Sequence, residues 1–192
     1  MVDPDAQLAL KCKSGDNAAT ELLYRRYVDR VWRYGWFVTR SREAAGEIVQ
    51  DTFLRVVKSI GRFEGRSTFA TWLFALTRSA AMELLRQKRL EERRRTDPAI
   101  IRLVTGDDRN EADADGDSRG AVRQAVADLP AAQRDAVILC ELVGMTIAEA
   151  AEVLGWGKSR VKVTLFRARR RLREMLRTHG VGELDGKRAE ET

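Results

Sequence analysis

Positive charge is the chemistry this sequence concentrates. Between residues 158 and 177 stand Lys158, Arg160, Lys162, Arg167, Arg169, Arg170, Arg171, Arg173 and Arg177, opposed only by Glu174. Guanidinium and ammonium groups at that density make charge-assisted hydrogen bonds to phosphate, and arginine can also grip a base edge with two donors. Bond-making chemistry has no comparable cluster. The single histidine, His179, lies in a polar tail beside Gly180, and Cys12 and Cys140 stand far apart without a CxxC pattern. The sequence therefore predicts no catalytic residue, no cofactor, and no metal or disulfide site. Solvated helix faces mix Glu with Lys and Arg, so near-exclusive positive charge points to a nucleic acid partner.

Those cations need a helix to align them. Val161, Leu165, Ala168, Leu172 and Leu176 recur at helical intervals and set one apolar stripe against the cationic surface. Ser159 is the expected N-cap. Upstream, Thr146 and Glu149 have capping-box spacing, and Ile147, Ala150, Ala151 and Leu154 would face a core. A short helix should therefore run up to Gly155-Trp156-Gly157, where the glycines permit a sharp turn. The result is a helix-turn-helix with residues 159–173 as its recognition helix. Such a helix, about 10–12 Å across, fits a DNA major groove about 12 Å wide.

The whole chain has 192 residues and a formal charge of +6, and most of what precedes the helix-turn-helix is helical in pattern. Residues 5–39 should be helical with a break at Ser14-Gly15-Asp16, burying Leu22, Leu23, Tyr27, Val31 and Tyr34 beside Trp32 and Trp36. A helix over 42–59 should bury Ile48, Val49, Phe53, Val56, Val57 and Ile60. Its polar side, with Glu47, Gln50, Asp51, Arg55 and Lys58, is either solvated surface or a docking face. Residues 61–67 read as a loop ending in a cap at Ser67. A third helix follows with Phe69, Trp72, Leu73, Leu76, Ala80 and Leu84 on one side and a basic far end, RQKRLEERRR. Most of the rings among Phe63, Phe69, Trp72 and Phe74 belong to a core. Those near the loop are better placed to stack on unpaired bases, worth about 1–3 kcal/mol per base.

Residues 96–120 carry Asp107, Asp108, Glu111, Asp113, Asp115 and Asp117 among glycines and leave little to bury, so they read as a disordered acidic linker. As a relaxed coil it would average about 25–30 Å end to end. Residues 121–143 should form two helices split at Leu129-Pro130, with Pro130 in the first turn of the second. Their stripe is Leu129, Ala132, Ala136, Leu139 and Val143, with Cys140 a small core residue. The expected fold is all-α: two small helical domains, 1–95 and 121–178, an acidic flexible linker over 96–120, and a polar tail over 179–192. No stretch approaches 18 apolar residues and the N-terminus lacks a signal-peptide pattern, so the expected location is cytoplasmic, away from membranes.

In this order the segments resemble a bacterial RNA polymerase sigma factor of the extracytoplasmic-function class, over roughly residues 8–178. EIVQDTFLRVVKSIGRFEGRSTFATWLFALTRSAAMELLR looks like that family's segment for binding core polymerase and reading the −10 element. LPAAQRDAVILCELVGMTIAEAAEVLGWGKSRVKVTLFRARRRLR looks like its −35-reading segment. The resemblance implies a non-enzymatic, dissociable polymerase subunit that selects promoters and helps to open them. It implies that Glu47, Gln50, Asp51 and Leu54 dock on the clamp helices of the largest subunit of core RNA polymerase. For the −10 element it implies Arg62, Phe63, Arg66, Ser67, Trp72, Arg78, Ser79, Arg86 and Lys88. For the −35 element it implies Lys158, Ser159, Arg160, Lys162, Thr164, Arg167, Arg169, Arg170 and Arg171. An anti-sigma factor packed between the domains is a further implied partner.

The sequence departs from the family pattern in three places. Ala44-Ala45-Gly46-Glu47 replaces an acidic run, Ser79 stands where Asn is usual, and Val163-Thr164 stands where Ser-Arg is common. Promoter elements two helical turns apart lie about 70 Å apart along the axis, more than the relaxed linker spans. Polymerase would then hold the domains splayed, and the isolated protein should bind promoters weakly. The rival reading is a stand-alone helix-turn-helix regulator with an N-terminal sensing or dimerisation domain. It accounts for the helix-turn-helix but not for the basic, aromatic third helix.

Overall fold

The computed structural model describes residues 3–94 and 117–178. Short polar side chains set the helix starts of the first part. Helix α1 (Pro4–Lys13) has Pro4 in its first turn and is capped by Asp3, whose carboxylate accepts from the Asp5 N–H at 3.0 Å. Helix α2 (Asn17–Thr39) is capped by Asp16, which accepts from Ala19 N–H at 3.1 Å, and ends where Arg40 turns left-handed at φ 60°. Helix α3 (Arg42–Ser59) is capped by Ser41 and runs into a 3₁₀ turn, Ile60–Arg62. Helix α4 (Phe69–Arg94) follows. Its cap is Thr68, not Ser67: the Thr68 hydroxyl accepts from Thr71 N–H at 3.2 Å and its carbonyl from Trp72 N–H at 3.1 Å.

The second part begins earlier than composition suggested. Helix α5 (Asp117–Ala127) takes up the last four residues assigned to the linker. The rest of the expected linker, 96–116, and the tail, 179–192, lie outside the described residues. Helix α6 (Ala131–Val137) passes into a π-helical turn, Ile138–Leu142. Pro130 stands just before α6, not inside its first turn, and its carbonyl accepts from Gln133 and Arg134 at 2.8 and 3.0 Å. Helices α7 (Ile147–Leu154) and α8 (Lys158–Thr178) complete the chain, so every regular element among the described residues is helical.

Helices α2, α3 and α4 pack on one another around Leu23, Tyr27, Val31, Tyr34, Ile48, Val56, Phe69, Leu73 and Phe74. Gly35 lets α2 and α3 close up: a Cβ there would sit 3.1 Å from the Ala45 Cα and 3.3 Å from the Ile48 Cδ1. Helix α1 is tied across this bundle. The Tyr27 hydroxyl and Arg26 both hold the nearly buried Asp5 carboxylate, and Asp3 accepts from the first N–H of α4, on Phe69, at 2.8 Å. Three residues expected inside are not. Leu22 and Val57 each follow or precede a buried apolar neighbour, Leu23 and Val56, and the 100° between adjacent helical positions turns them to solvent. Ala132 lies on the outer first turn of α6, whose inward side begins at Asp135 and Ala136.

Both parts pack together, and their buried apolar residues form one connected cluster. The contact joins α4 to α7 and α2 to the π turn and α5. Polar groups cross it. The Thr68 hydroxyl donates to Glu149 at 3.0 Å, Arg30 to the Val143 carbonyl at 2.7 Å, and Arg40 to the Gln124 side-chain oxygen at 2.5 Å.

Candidate nucleic-acid interface

The helix-turn-helix is built as its residue types require. Thr146 and Glu149 make a reciprocal capping box: the carboxylate accepts from Thr146 N–H at 2.9 Å and the hydroxyl accepts from Glu149 N–H at 3.2 Å. Partial burial alone would raise the Glu149 pKa, but hydrogen bonds from Thr146 and Thr68 outweigh it and hold the carboxyl below its usual range. Helix α7 ends at Gly155, whose φ of 66° a residue with a Cβ adopts reluctantly. Helix α8 then starts at Lys158. The Gly157 carbonyl accepts from Arg160 and Val161 N–H at 3.0 and 3.2 Å, so the backbone of Gly157 does the capping and Ser159 lies in the first turn.

Val161, Leu165, Ala168 and Leu176 are buried, with Leu172 half-buried, and they pin α8 against α5, α6 and α7. Lys158, Ser159, Arg160, Lys162, Arg167, Arg169, Arg170 and Arg171 are exposed, whereas Thr164 is turned partly inward. The Arg160 guanidinium lies 4.3 Å from the Trp156 ring centroid, a cation–π contact that fixes it at the turn. Arg169 bonds Glu141 at 2.5 and 3.2 Å, and Arg170 meets Glu174 at 3.2 Å. Lys158, Lys162, Arg167 and Arg171 make no ion pair among the described residues, so this part of the cationic face is open to an external anion. Val163 and Phe166 on the same helix are also exposed, and because they are apolar the charge pattern of the sequence does not single them out.

The residues expected at a −10 element fall into separate groups. Trp72, Ser79 and Arg86 repeat every seven residues along α4 and therefore share a face. Trp72 is half-buried, with its ring 5.3 Å from Phe63 and 5.8 Å from Phe69. Phe63 is buried at 2% exposure, so its ring belongs to the core and is not presented to a base in this arrangement. Phe69 and Phe74 are core residues as well. Arg62 and Arg66 project from the loop, Arg66 pairing with Glu64 at 2.6 Å, and Ser67 is half-exposed. Ser79 accepts from Arg55 at 3.0 Å. Arg86 grips Glu83 at 2.7 and 3.0 Å, and hydrogen bonds from Arg86 and Gln87 hold that carboxyl at about 2. Lys88 lies away from this face and is half-exposed.

Arg78 points the other way, into the contact between the two parts, 3.6 Å from the Asp135 carboxylate. Burial pushes the Asp135 pKa up, against the opposing pull of Arg78 and Arg134. On α3, Glu47 and Gln50 are exposed, Leu54 is 50% exposed, and Asp51 pairs with Arg55 at 2.7 Å. Glu47, Asp51, Arg55, Glu83 and Gln87 line a shallow groove between α3 and α4. Among the described residues no group of three or more His, Cys, Asp or Glu could hold a metal ion, and no helix is long and apolar enough to cross a membrane.

The family model described as Sigma-70 region 2 matches residues 23–91, and that for Sigma-70, region 4 matches residues 119–172. The sigma factor SigC of Mycobacterium tuberculosis, of the extracytoplasmic-function class, is 31% identical over 162 residues, which is 84% of this chain and 85% of SigC. This chain belongs to that class of the sigma-70 family. SigM of Mycobacterium tuberculosis is 29% identical over 172 residues, 90% of this sigma factor and 84% of SigM. Two solved structures share the fold. CnrH, in complex with the cytosolic domain of CnrY, has a TM-score of 0.68 and 24% identity, covering 91% of this chain and 97% of its own. RpoE of Bartonella quintana, in complex with the anti-sigma factor NepR, has a TM-score of 0.66 and 22% identity, covering 82% and 96%. The chain is an alternative sigma factor of transcription initiation, and the stand-alone regulator is not favoured.

Proposed function

We propose that residues 1–95 dock on core polymerase and engage the −10 element, while residues 121–178 engage the −35 element. Residues 96–116 would tether the two, since 117–120 belong to helix α5, and 179–192 would form a polar tail. The observation that carries this reading is the outward face of α8, where open cations sit opposite a buried apolar stripe on the second helix of a helix-turn-helix. Lys158, Ser159, Arg160, Lys162 and Arg167 approach the groove and its phosphates. Arg169 and Arg170 first have to leave Glu141 and Glu174. The exposed edge of Trp72 takes an unpaired base, flanked by Arg62, Arg66 and Ser67. Glu47, Gln50, Asp51 and Leu54 meet the clamp helices of the largest polymerase subunit. The chain supplies promoter selection; RNA synthesis is the polymerase's chemistry.

Engagement of both elements requires the halves to part. Thr68 and Arg78, at the start and on the side of α4, are held by Glu149 and Asp135 of the second half. Those contacts break when polymerase holds the domains about 70 Å apart on a promoter. By analogy with RpoE bound to NepR, an anti-sigma factor is a second partner, competing for the same surfaces. In vitro transcription with core polymerase, with start sites mapped, tests the reading. Starts that depend on the chain and map a fixed distance from a shared pair of elements are expected. Core polymerase that neither copurifies with the chain nor starts RNA in its presence would overturn it.

A further inference from the structure

One short helix holds both ends of the loop that leads into α4. The Lys13 ammonium, on the last residue of α1, donates to the Phe63 carbonyl at 3.0 Å. At the other end of α1, the Asp3 carboxylate accepts from the Phe69 N–H at 2.8 Å while also capping α1 itself. Between these points residues 64–66 are exposed and Gly65 is left-handed at φ 70°. Among the described residues, the N–H groups of 64–67 make no backbone hydrogen bond. With so little internal bonding, the course of the loop follows from where its ends are fixed. Helix α1 is a firm spacer for that purpose, since Asp3 and Lys13 stand about 15 Å apart along its axis. It is itself anchored: Ala9 is buried, and Asp5 is gripped by Arg26 and by the Tyr27 hydroxyl of α2.

A third tie behaves differently. The Thr68 hydroxyl donates to Glu149 of the second half, and that bond is lost when the halves part on a promoter. Asp3 and Lys13 belong to the same half as the loop, so their bonds persist in the open form. Resting on the reading that this loop engages the −10 element, we propose that Asp3 and Lys13 are positioning residues for −10 capture. They touch no DNA; they fix the loop in the shape that receives an unpaired base. A loop already in its bound shape gives up less conformational freedom on binding, and apparent affinity scales with the fraction of molecules that hold that shape. The two residues lie 66 and 50 positions from the groups they hold, so only the packing of α1 brings them to the loop.

The test uses holoenzyme, core polymerase plus the full chain, and two DNA probes. One carries the −35 element followed by a single-stranded −10 strand; the other is the same duplex ending upstream of the −10 element. Unaltered holoenzyme should bind the first probe more tightly. Lys13→Met keeps the aliphatic stem and removes the donor, and Asp3→Ala removes the acceptor. Loss of one such bond predicts about three- to fivefold weaker binding of the first probe. The two changes act at opposite ends of α1, so together they should cost about 10- to 25-fold. Binding of the second probe and copurification with core polymerase should not change, and Lys13→Arg should restore most of the loss. Asp3→Ala also uncaps α1; if its Tm shows that it unfolds, the Lys13 variants decide. Binding of the first probe by Lys13→Met at the unaltered level overturns the proposal, and so do equal losses on both probes, which mark a general weakening of the first half. Unaltered holoenzyme that binds both probes equally overturns the −10 reading of the loop, and the proposal with it.

Discussion

Arg78→Met should open the molecule, and the effect should far exceed that of changing its partner. The Arg78 Nε lies 3.6 Å from the Asp135 carboxylate, with side chains 30% and 11% exposed. At that distance and an effective dielectric near 20, the raw attraction is about 4–5 kcal/mol. Desolvation offsets most of it: the Asp135 pKa is pushed up despite Arg78, and the buried Nε has no hydrogen bond, since 3.6 Å is too long. The intact pair is thus close to neutral. Removing Arg78 alone leaves a buried carboxylate without its main counter-charge, at a cost of about 2–3 kcal/mol. Opening rehydrates that carboxylate, so the loss appears as a closing equilibrium weakened about 30- to 150-fold. Asp135→Asn removes a charge that the closed form already disfavours and should cost under about 1 kcal/mol. Small-angle scattering of the full chain reads the outcome as radius of gyration. Wild-type scattering from Arg78→Met, or greater opening from Asp135→Asn, would refute the assignment of the desolvation cost to Asp135.

Acidity should act on the same contact. Asp135 binds its proton more tightly in the closed form, so closure strengthens as pH falls from neutral toward the ordinary carboxylate pKa and weakens as pH rises through the raised value; scattering across that window checks the sign. Lys162→Ala and Arg167→Ala should each weaken promoter binding by holoenzyme. A base contact would show as a loss of about 1–3 kcal/mol with relaxed sequence preference, and a phosphate contact as a uniform loss with a shallower salt dependence. Gly35→Ala forces a Cβ to 3.1 Å from Ala45 and should cost about 1–3 kcal/mol, read as a lowered Tm. Leu54→Asp should leave Tm unchanged, because the side chain is half-exposed, and should reduce copurification with core polymerase.

Helices were legible wherever a side chain announces a boundary. Asp16, Ser41 and Thr146 cap the helices they precede, and Gly155 closes α7, as their chemistry demands. Boundaries slipped where chemistry is degenerate. Adjacent hydroxyls at Ser67 and Thr68 compete for one role, and the Gly157 backbone can do what Ser159 was expected to do. Apolar pairs such as Leu22-Leu23 and Val56-Val57 defeat periodicity, since either member can face inward until a partner helix chooses. The cationic face of α8 was legible because charge needs no tertiary context. The engagement of Arg78 was not, because Asp135 is 57 residues away and only packing of the two halves brings them together. Burial of Phe63 between Phe69 and Trp72 likewise depends on how a loop folds back.

Closure has a dosage consequence. If only the parted form can engage DNA, every promoter's apparent affinity falls by the same factor, the fraction of molecules that are open. The order in which sites fill is then unchanged. What the apolar contact between the halves, with Thr68–Glu149 across it, sets is how many copies must accumulate before the weakest site is used.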